Sequence, residues 1–233
     1  MELSEIMTIT PTFSRTLKCP CCSNSFSTVN VRISYPKTVE VSTDFCVTYQ
    51  DEINSPYLYY VNVCNLCGYA FTKNSSSISS ISKAVIQKEV SEKWRPRSFG
   101  EIRTIEDAIT CYKLAIYCSL LKNEKNYILA GLLLRVSWLY RKMNNQVDEE
   151  RFMLKAVDAY KKSYDIADYV GTEMSEIRVL FLIGELSRRC KRYEEAISHF
   201  SKIVAHSNAQ LEKGIVEKAR QQWQVTREEA KAE

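Results

Sequence analysis

Three cysteines fall within four positions in "KCPCCSNSF", Lys18 to Phe26, and "VCNLCGYAF", Val63 to Phe71, supplies two more. Cys19 with Cys22 and Cys64 with Cys67 make two Cys-x-x-Cys turns. Such a turn offers two thiolates to one cation while its backbone N–H groups soften their charge, and two turns complete the tetrahedron that zinc prefers. The spacing therefore predicts one structural Zn2+ per chain, with Cys19, Cys22, Cys64 and Cys67 as its ligands. A closed four-thiolate site leaves no position for water, which disfavours metal hydrolysis. A thiol redox pair, an iron–sulfur site and inert sulfur are the competing readings. Gly68 follows the second turn, where the absence of a side chain lets backbone amides approach sulfur, and Phe26 and Phe71 stand where they can pack beside the turns.

The 41 residues between Cys22 and Cys64 exceed the about 15 to 20 of the compact two-turn pattern, so something is inserted. The insertion contains Cys46, and Cys21 lies inside the first turn, so six thiols compete for four places. Pairing Cys21 would break the x-x spacing. Cys46 reads as buried core, a substitute ligand or a reactive neighbour. Cys111, Cys118 and Cys190 fall within helical periodicity and read as small core residues.

No other constellation suggests catalysis. His199 and His206 lie seven residues apart on one expected helix, with no partner that would form a triad. With six glycines in all, there is no Gly-rich phosphate loop and no paired metal-ligand histidines. The expectation is a protein without enzymatic activity. Nine cysteines, an odd number, and an N-terminus bearing Glu2 and Glu5 rather than an apolar export segment point to a reducing cytoplasm and to metal over disulfides. The greasiest run, "YILAGLLLRVSWLY", is broken by Arg135 and too short to span a bilayer. Of the formal net charge of +4, residues 1–73 contribute about −1, which makes a poor magnet for polyanions.

Two regions must position these residues. From Thr28 to about Val63 β-branched and aromatic residues dominate, with "TVNVRISY" and "YLYYVNV" as the best strand candidates. In the second, Tyr57, Tyr59, Val61 and Val63 alternate onto one face. The serine-rich "TKNSSSISSIS" reads as a linker, with "SISKAVIQKEVSEKW" as a short helix. Beyond Phe99 apolar residues recur at three- and four-residue steps: Ile105, Ala108, Ile109, Tyr112 and Leu120; Ala130, Leu133, Leu134 and Trp138; Phe152, Ala156, Tyr160 and Ala167; Ala196, Phe200 and Ile203. Six helices follow, at roughly 103–122, 126–143, 148–168, 173–190, 193–207 and 210–230. Gly184, Ala196 and Phe200 stand at the spacing of the tetratricopeptide consensus, and a last helix with Leu211, Ile215, Ala219 and Trp223 on one stripe would cap a stack. The expected fold is α+β: a zinc-ribbon-like β module at 13–73, a linker or short helix at 74–98, and a tetratricopeptide-like helical array at 99–233.

The segments "CPCC", "STDFCVTYQDEINSPYLYYVNVCNLCGYAF" and "VSWLYRKMN" resemble the bacterial family catalogued as domain of unknown function 2225, over about residues 13–210. Asp44, Phe45 and Cys46 match its central segment, and Cys64, Cys67, Gly68, Tyr69 and Ala70 its second turn; Asn65 replaces the proline usual there. The resemblance implies a cysteine-knuckle region followed by a tetratricopeptide-type tail, and no activity. The functional expectation is a protein–protein adaptor whose partners dock on Tyr127, Arg135, Tyr140 and Arg141, or which self-associates through the array. The runner-up is a nucleic-acid-binding zinc ribbon, although "RRCKR", Arg188 to Arg192, reads as a solvated helix end.

Overall fold

The computed structural model describes residues 10–99 and 102–232. Its N-terminal part is a series of three antiparallel hairpins. Strand β1 (Thr12–Lys18) pairs with β2 (Ser25–Val31), Thr12 opposite Val31 and Lys18 opposite Ser25. Strand β3 (Thr38–Val41) pairs with β4 (Val47–Tyr49), and β5 (Asn62–Val63) with β6 (Ala70–Phe71). The first and third hairpins turn through the two Cys-x-x-Cys segments, and the middle one turns through Ser42–Cys46.

The segment "YLYYVNV" departs from the expected strand. Pro56–Tyr59 forms a 3-10 turn with the proline in its first positions, leaving only Asn62–Val63 extended. Tyr57, Leu58 and Tyr59 are all buried, so the alternation in their side-chain types does not mark two faces. Side chains rather than a neighbouring strand satisfy the backbone. Arg103 Nη1 donates to the carbonyls of Leu58 and Val61 at 3.2 and 2.7 Å, and the Tyr112 hydroxyl to that of Tyr57 at 3.1 Å. Conversely β1 has no buried residue, so no apolar alternation announces it.

Among the described residues seven α-helices follow: α1 (Ser80–Glu89), α2 (Ile105–Leu121), α3 (Asn126–Lys142), α4 (Gln146–Ile166), α5 (Glu176–Arg189), α6 (Tyr193–Val204) and α7 (Lys213–Ala232). Several start where a side chain satisfies the orphan amides of the first turn. Thr104 and Asp107 form a reciprocal capping box at α2, Asn145 accepts from the Asp148 amide at α4, and Ser175 from the Arg178 amide at α5. Helix α4 ends at Ala167, in the left-handed region at φ 54° and exposed rather than in the core stripe. Leu120 and Leu211, also expected inside, are 56% and 81% exposed. None of these helices is long and apolar enough to cross a membrane.

Helices α3 and α4 form one hairpin and α5 and α6 a second, α4 packs on α5, and α7 closes the far side. A continuous core runs from Cys19 and Phe26 in the first β-hairpin through α2, α3 and α4 to Leu186 in α5. A second cluster, with Phe181, Ala196, Phe200, Val216 and Ala219, joins α5, α6 and α7. Gly184 makes the α5–α6 contact feasible, since a Cβ there would lie 2.9 Å from the Phe200 ring. The serine-rich stretch is pinned to this core. Ser76 donates its amide and hydroxyl to the Glu124 carboxylate, which pairs at 2.7 Å with Lys122 beneath it, and Ile86 of α1 is fully buried.

Candidate metal centre

Two hairpin tips bring Cys19, Cys22, Cys64 and Cys67 together, their sulfurs all within 4.8 Å of one another. Cys19 Sγ lies 3.6 Å from Cys67 Sγ, and Cys22 Sγ 3.7 Å from Cys64 Sγ. Four sulfurs at about 2.3 Å from one ion form a tetrahedron with edges of about 3.8 Å, so the donor set fits a metal ion of that kind.

The two turns have the same backbone wiring. The Cys19 amide donates to Asn24 O at 2.8 Å and the Ser23 amide to Cys19 O at 2.9 Å; the Cys64 amide donates to Tyr69 O at 3.0 Å and the Gly68 amide to Cys64 O at 2.9 Å. The amides of Cys21 and Cys22 face the Cys19 sulfur, and those of Leu66 and Cys67 face Cys64. Ser23 and Gly68, each following its turn, both take positive φ, 62° and 73°. Gly68 is doubly constrained, because a Cβ there would lie 2.5 Å from the ring of Trp94, whose indole N–H is bonded to Asn65 O at 3.0 Å. Trp94 thus packs against the second turn. Phe26 and Phe71 meet edge to face at 6.3 Å beside the cluster.

The Cys67 thiol, hydrogen-bonded to Cys19, lowers the Cys19 pKa to about 5 against the opposing pull of burial. The same bond, with burial, raises Cys67. Cys21 is half-buried and its pKa is raised by burial and then by the neighbouring Cys19 and Cys22. Cys46 is buried outside the cluster, pushed up to about 11 by burial and then by Asp44. Cys111 and Cys118 are buried in α2 and Cys190 is half-buried at the end of α5.

The middle hairpin carries a second constellation. The Asp44 carboxylate is fully buried. It accepts from Trp138 Nε1 at 2.9 Å and Arg141 Nη2 at 2.7 Å, with Arg189 Nη2 at 3.6 Å. Burial alone would raise the Asp44 pKa; the Arg141 hydrogen bond, the Arg189 and Arg141 charges and the Trp138 N–H outweigh it and hold the group below its usual range. Thr43 donates to the fully buried Glu185 and accepts from Arg189 at 2.8 Å. Glu185 also binds Arg188 and Arg189 at 2.9 and 2.8 Å, while Arg188 grips Glu229 of α7 and Arg141 pairs with Glu149. Phe45, at φ 66°, lays its ring 5.4 Å from Phe181 of α5. The tip is therefore wedged between α3 and α5 by a chain of alternating buried charges.

These contacts correct two expectations. Arg188 and Arg189 are ion-paired structural groups rather than a solvated helix end, because buried carboxylates recruit them. Of the expected docking residues, Tyr140 is buried and Arg141 is committed to Asp44 and Glu149, whereas Tyr127 and Arg135 line an open cleft beside the wedged tip. The histidines are separate from both constellations: His199 is buried against Glu195 O at 2.8 Å and His206 faces Glu176 at 3.4 Å.

No curated protein and no solved structure matches the chain. Residues 12–226 match the family described as "Uncharacterized protein conserved in bacteria (DUF2225)". The match takes in both cysteine turns, the Asp44 tip and all but the end of α7, and the chain belongs to that family.

Proposed function

We propose that this chain is a zinc-braced, non-enzymatic adaptor of the cytoplasm, in which Cys19, Cys22, Cys64 and Cys67 hold one structural Zn2+ and tetratricopeptide-like helical hairpins present a surface to a protein partner. The observation that carries this reading is the wedged tip of the middle hairpin. The insertion between the two cysteine turns reaches into the helices and fixes the β module against α3 and α5 through Asp44 and Phe45. A metal that closes the two turns thereby sets the shape of the surface formed by both parts. A closed thiolate set suits bracing rather than hydrolysis. The commitment of Arg188 and Arg189 to carboxylates favours this reading over nucleic-acid binding, which needs cations free to meet phosphates.

Metal analysis and affinity capture test it together. The purified chain should carry one zinc, and Cys64→Ser should lose it, whereas Cys21→Ser should keep it; full retention by Cys64→Ser would rule out the four-ligand site. Capture from a native lysate should recover a stoichiometric protein partner that Cys64→Ser no longer holds. Recovery of nucleic acid in its place, sensitive to salt, would overturn the adaptor reading.

A further inference from the structure

We propose that the cleft between α3 and α5 binds a small organic anion, a carboxylate or phosphate carried on a flat ring. The cleft has a volume of about 320 Å³, in the range of pockets that hold small ligands. Its walls come from both helices, its floor includes Tyr160 of α4, and the wedged Asp44–Phe45 tip closes one end.

The charges in the cleft are unbalanced. Arg141, Arg188 and Arg189 each face a carboxylate, but Arg135 does not. Its Nη1 donates to Gly131 O of its own helix at 2.9 Å, and its guanidinium otherwise meets ring faces, Tyr60 at 4.3 Å and Trp138 at 5.7 Å. Among the described residues Arg135 has no ion pair, and neither has Arg178, which reaches the same cleft from α5. Asp44 borders the cleft too, but Arg141 and Arg189 match its charge. Arg135, half-buried among aromatic rings, is the charge that remains to be matched, and Arg178 adds an exposed cation to the same lining. The planar guanidinium of Arg135, 4.3 Å from the Tyr60 ring centre, carries N–H donors besides the one bonded to Gly131 O, and such a planar fork is the geometry that receives a carboxylate or phosphate edge. Tyr127 and Tyr160 add ring surface for a flat body, and Gly131 lets the Arg135 guanidinium settle close to the helix, where a Cβ would lie 3.2 Å from its Nη1. Phe45, which lines the cleft, is itself packed against Phe181 at 5.4 Å, and the volume suits a compact ligand.

This inference depends neither on the metal's identity nor on a protein partner. Isothermal titration of the full, metal-loaded chain with phenyl phosphate, phenylacetate, inorganic phosphate and benzyl alcohol tests it. Phenyl phosphate or phenylacetate should bind, and benzyl alcohol and inorganic phosphate should each bind at least about tenfold more weakly, the size of one charge-assisted contact. Arg135→Met should weaken the bound probe about tenfold or more. Arg178→Gln, at an exposed position that leaves the packing intact, should weaken it measurably and serves if Arg135→Met fails to fold. Absence of binding by either ring anion at millimolar concentration overturns the proposal, as does binding that neither substitution changes or equal binding of benzyl alcohol. A tripeptide ending in a free carboxylate that binds tenfold more tightly than phenylacetate would place the ligand on a protein chain end and overturn the small-molecule assignment.

Discussion

The position of Asp44 is set by two donors on α3, Trp138 and Arg141, and by the charge of Arg189 on α5. A fully buried carboxylate is tolerated because Arg141, Arg189 and Trp138 surround it, and removing the charge leaves Arg141 with Glu149 and Arg189 with Glu185 as their remaining carboxylate partners. Breaking a buried pair from one side costs about 3–5 kcal/mol. Asp44→Asn should therefore destabilise the protein by less than that in urea unfolding at pH 7, because Arg141 and Arg189 are partly exposed and each keeps a second carboxylate. The effect should depend on pH in one direction. Because the folded pKa is depressed, the stabilisation is present above the usual carboxylate range near pH ~4 and is lost as pH falls through the folded value. The gap between wild type and Asp44→Asn should thus be widest near neutrality and close in acid; a gap that widened in acid would contradict the assignment. This cluster was hidden in the sequence: Arg141 stands 97 residues from Asp44 and Glu185 stands 142 from Thr43. "RRCKR" viewed alone shows only a basic helix end. The cluster of Cys19, Cys22, Cys64 and Cys67 was legible because each Cys-x-x-Cys spacing already puts two sulfurs on one hairpin turn, and the structure brings the two turns together.

At the scale of elements, two glycines hold close contacts. Gly68 combines φ 73° with the Trp94 ring, so Gly68→Ala adds a left-handed alanine and a clash, and should cost about 1–3 kcal/mol and lower metal retention. Gly184→Ala pushes a methyl into the Phe200 ring. Overpacking of this kind costs about 1–3 kcal/mol, and thermal unfolding should show it in full with metal content unchanged. Gly184→Ala combined with Phe200→Leu should recover part of the loss, since the clash involves that ring; no recovery would place the strain elsewhere. Helices were readable because an amphipathic stripe repeats over many turns, and the errors fell at their ends, where Ala167 turns left-handed and Leu211 faces solvent. Strands were harder. Each sheet has two strands, β1 and β3 bury no residue, and the aromatic run Tyr57–Tyr60 is anchored by Arg103 and Tyr112 from farther along the chain.

In the whole molecule the β-hairpins and helices share one core, so loss of metal should not be confined to the N-terminal part. Chelation with EDTA should lower the thermal midpoint of the entire chain in a single transition, and near-ultraviolet circular dichroism should report loosening around Trp138 as well as Trp94. Two separate transitions would show that the β-hairpins unfold independently of the helices.

The insertion between Cys22 and Cys64 is, with metal bound, a closed ring of about 40 residues, and closing a loop of that length removes about 4 kcal/mol of chain entropy from the unfolded state in the polymer description. The Asp44 tip fastens this ring a second time, at a point nearly midway round it. Two fasteners on one ring restrain the same lost freedom, so the second to form gains less from closure than the first. Cys64→Ser and Asp44→Asn combined should therefore destabilise by more than the sum of the single changes, since each fastener partly covers the loss of the other, and a double-mutant cycle measures that shared entropy directly.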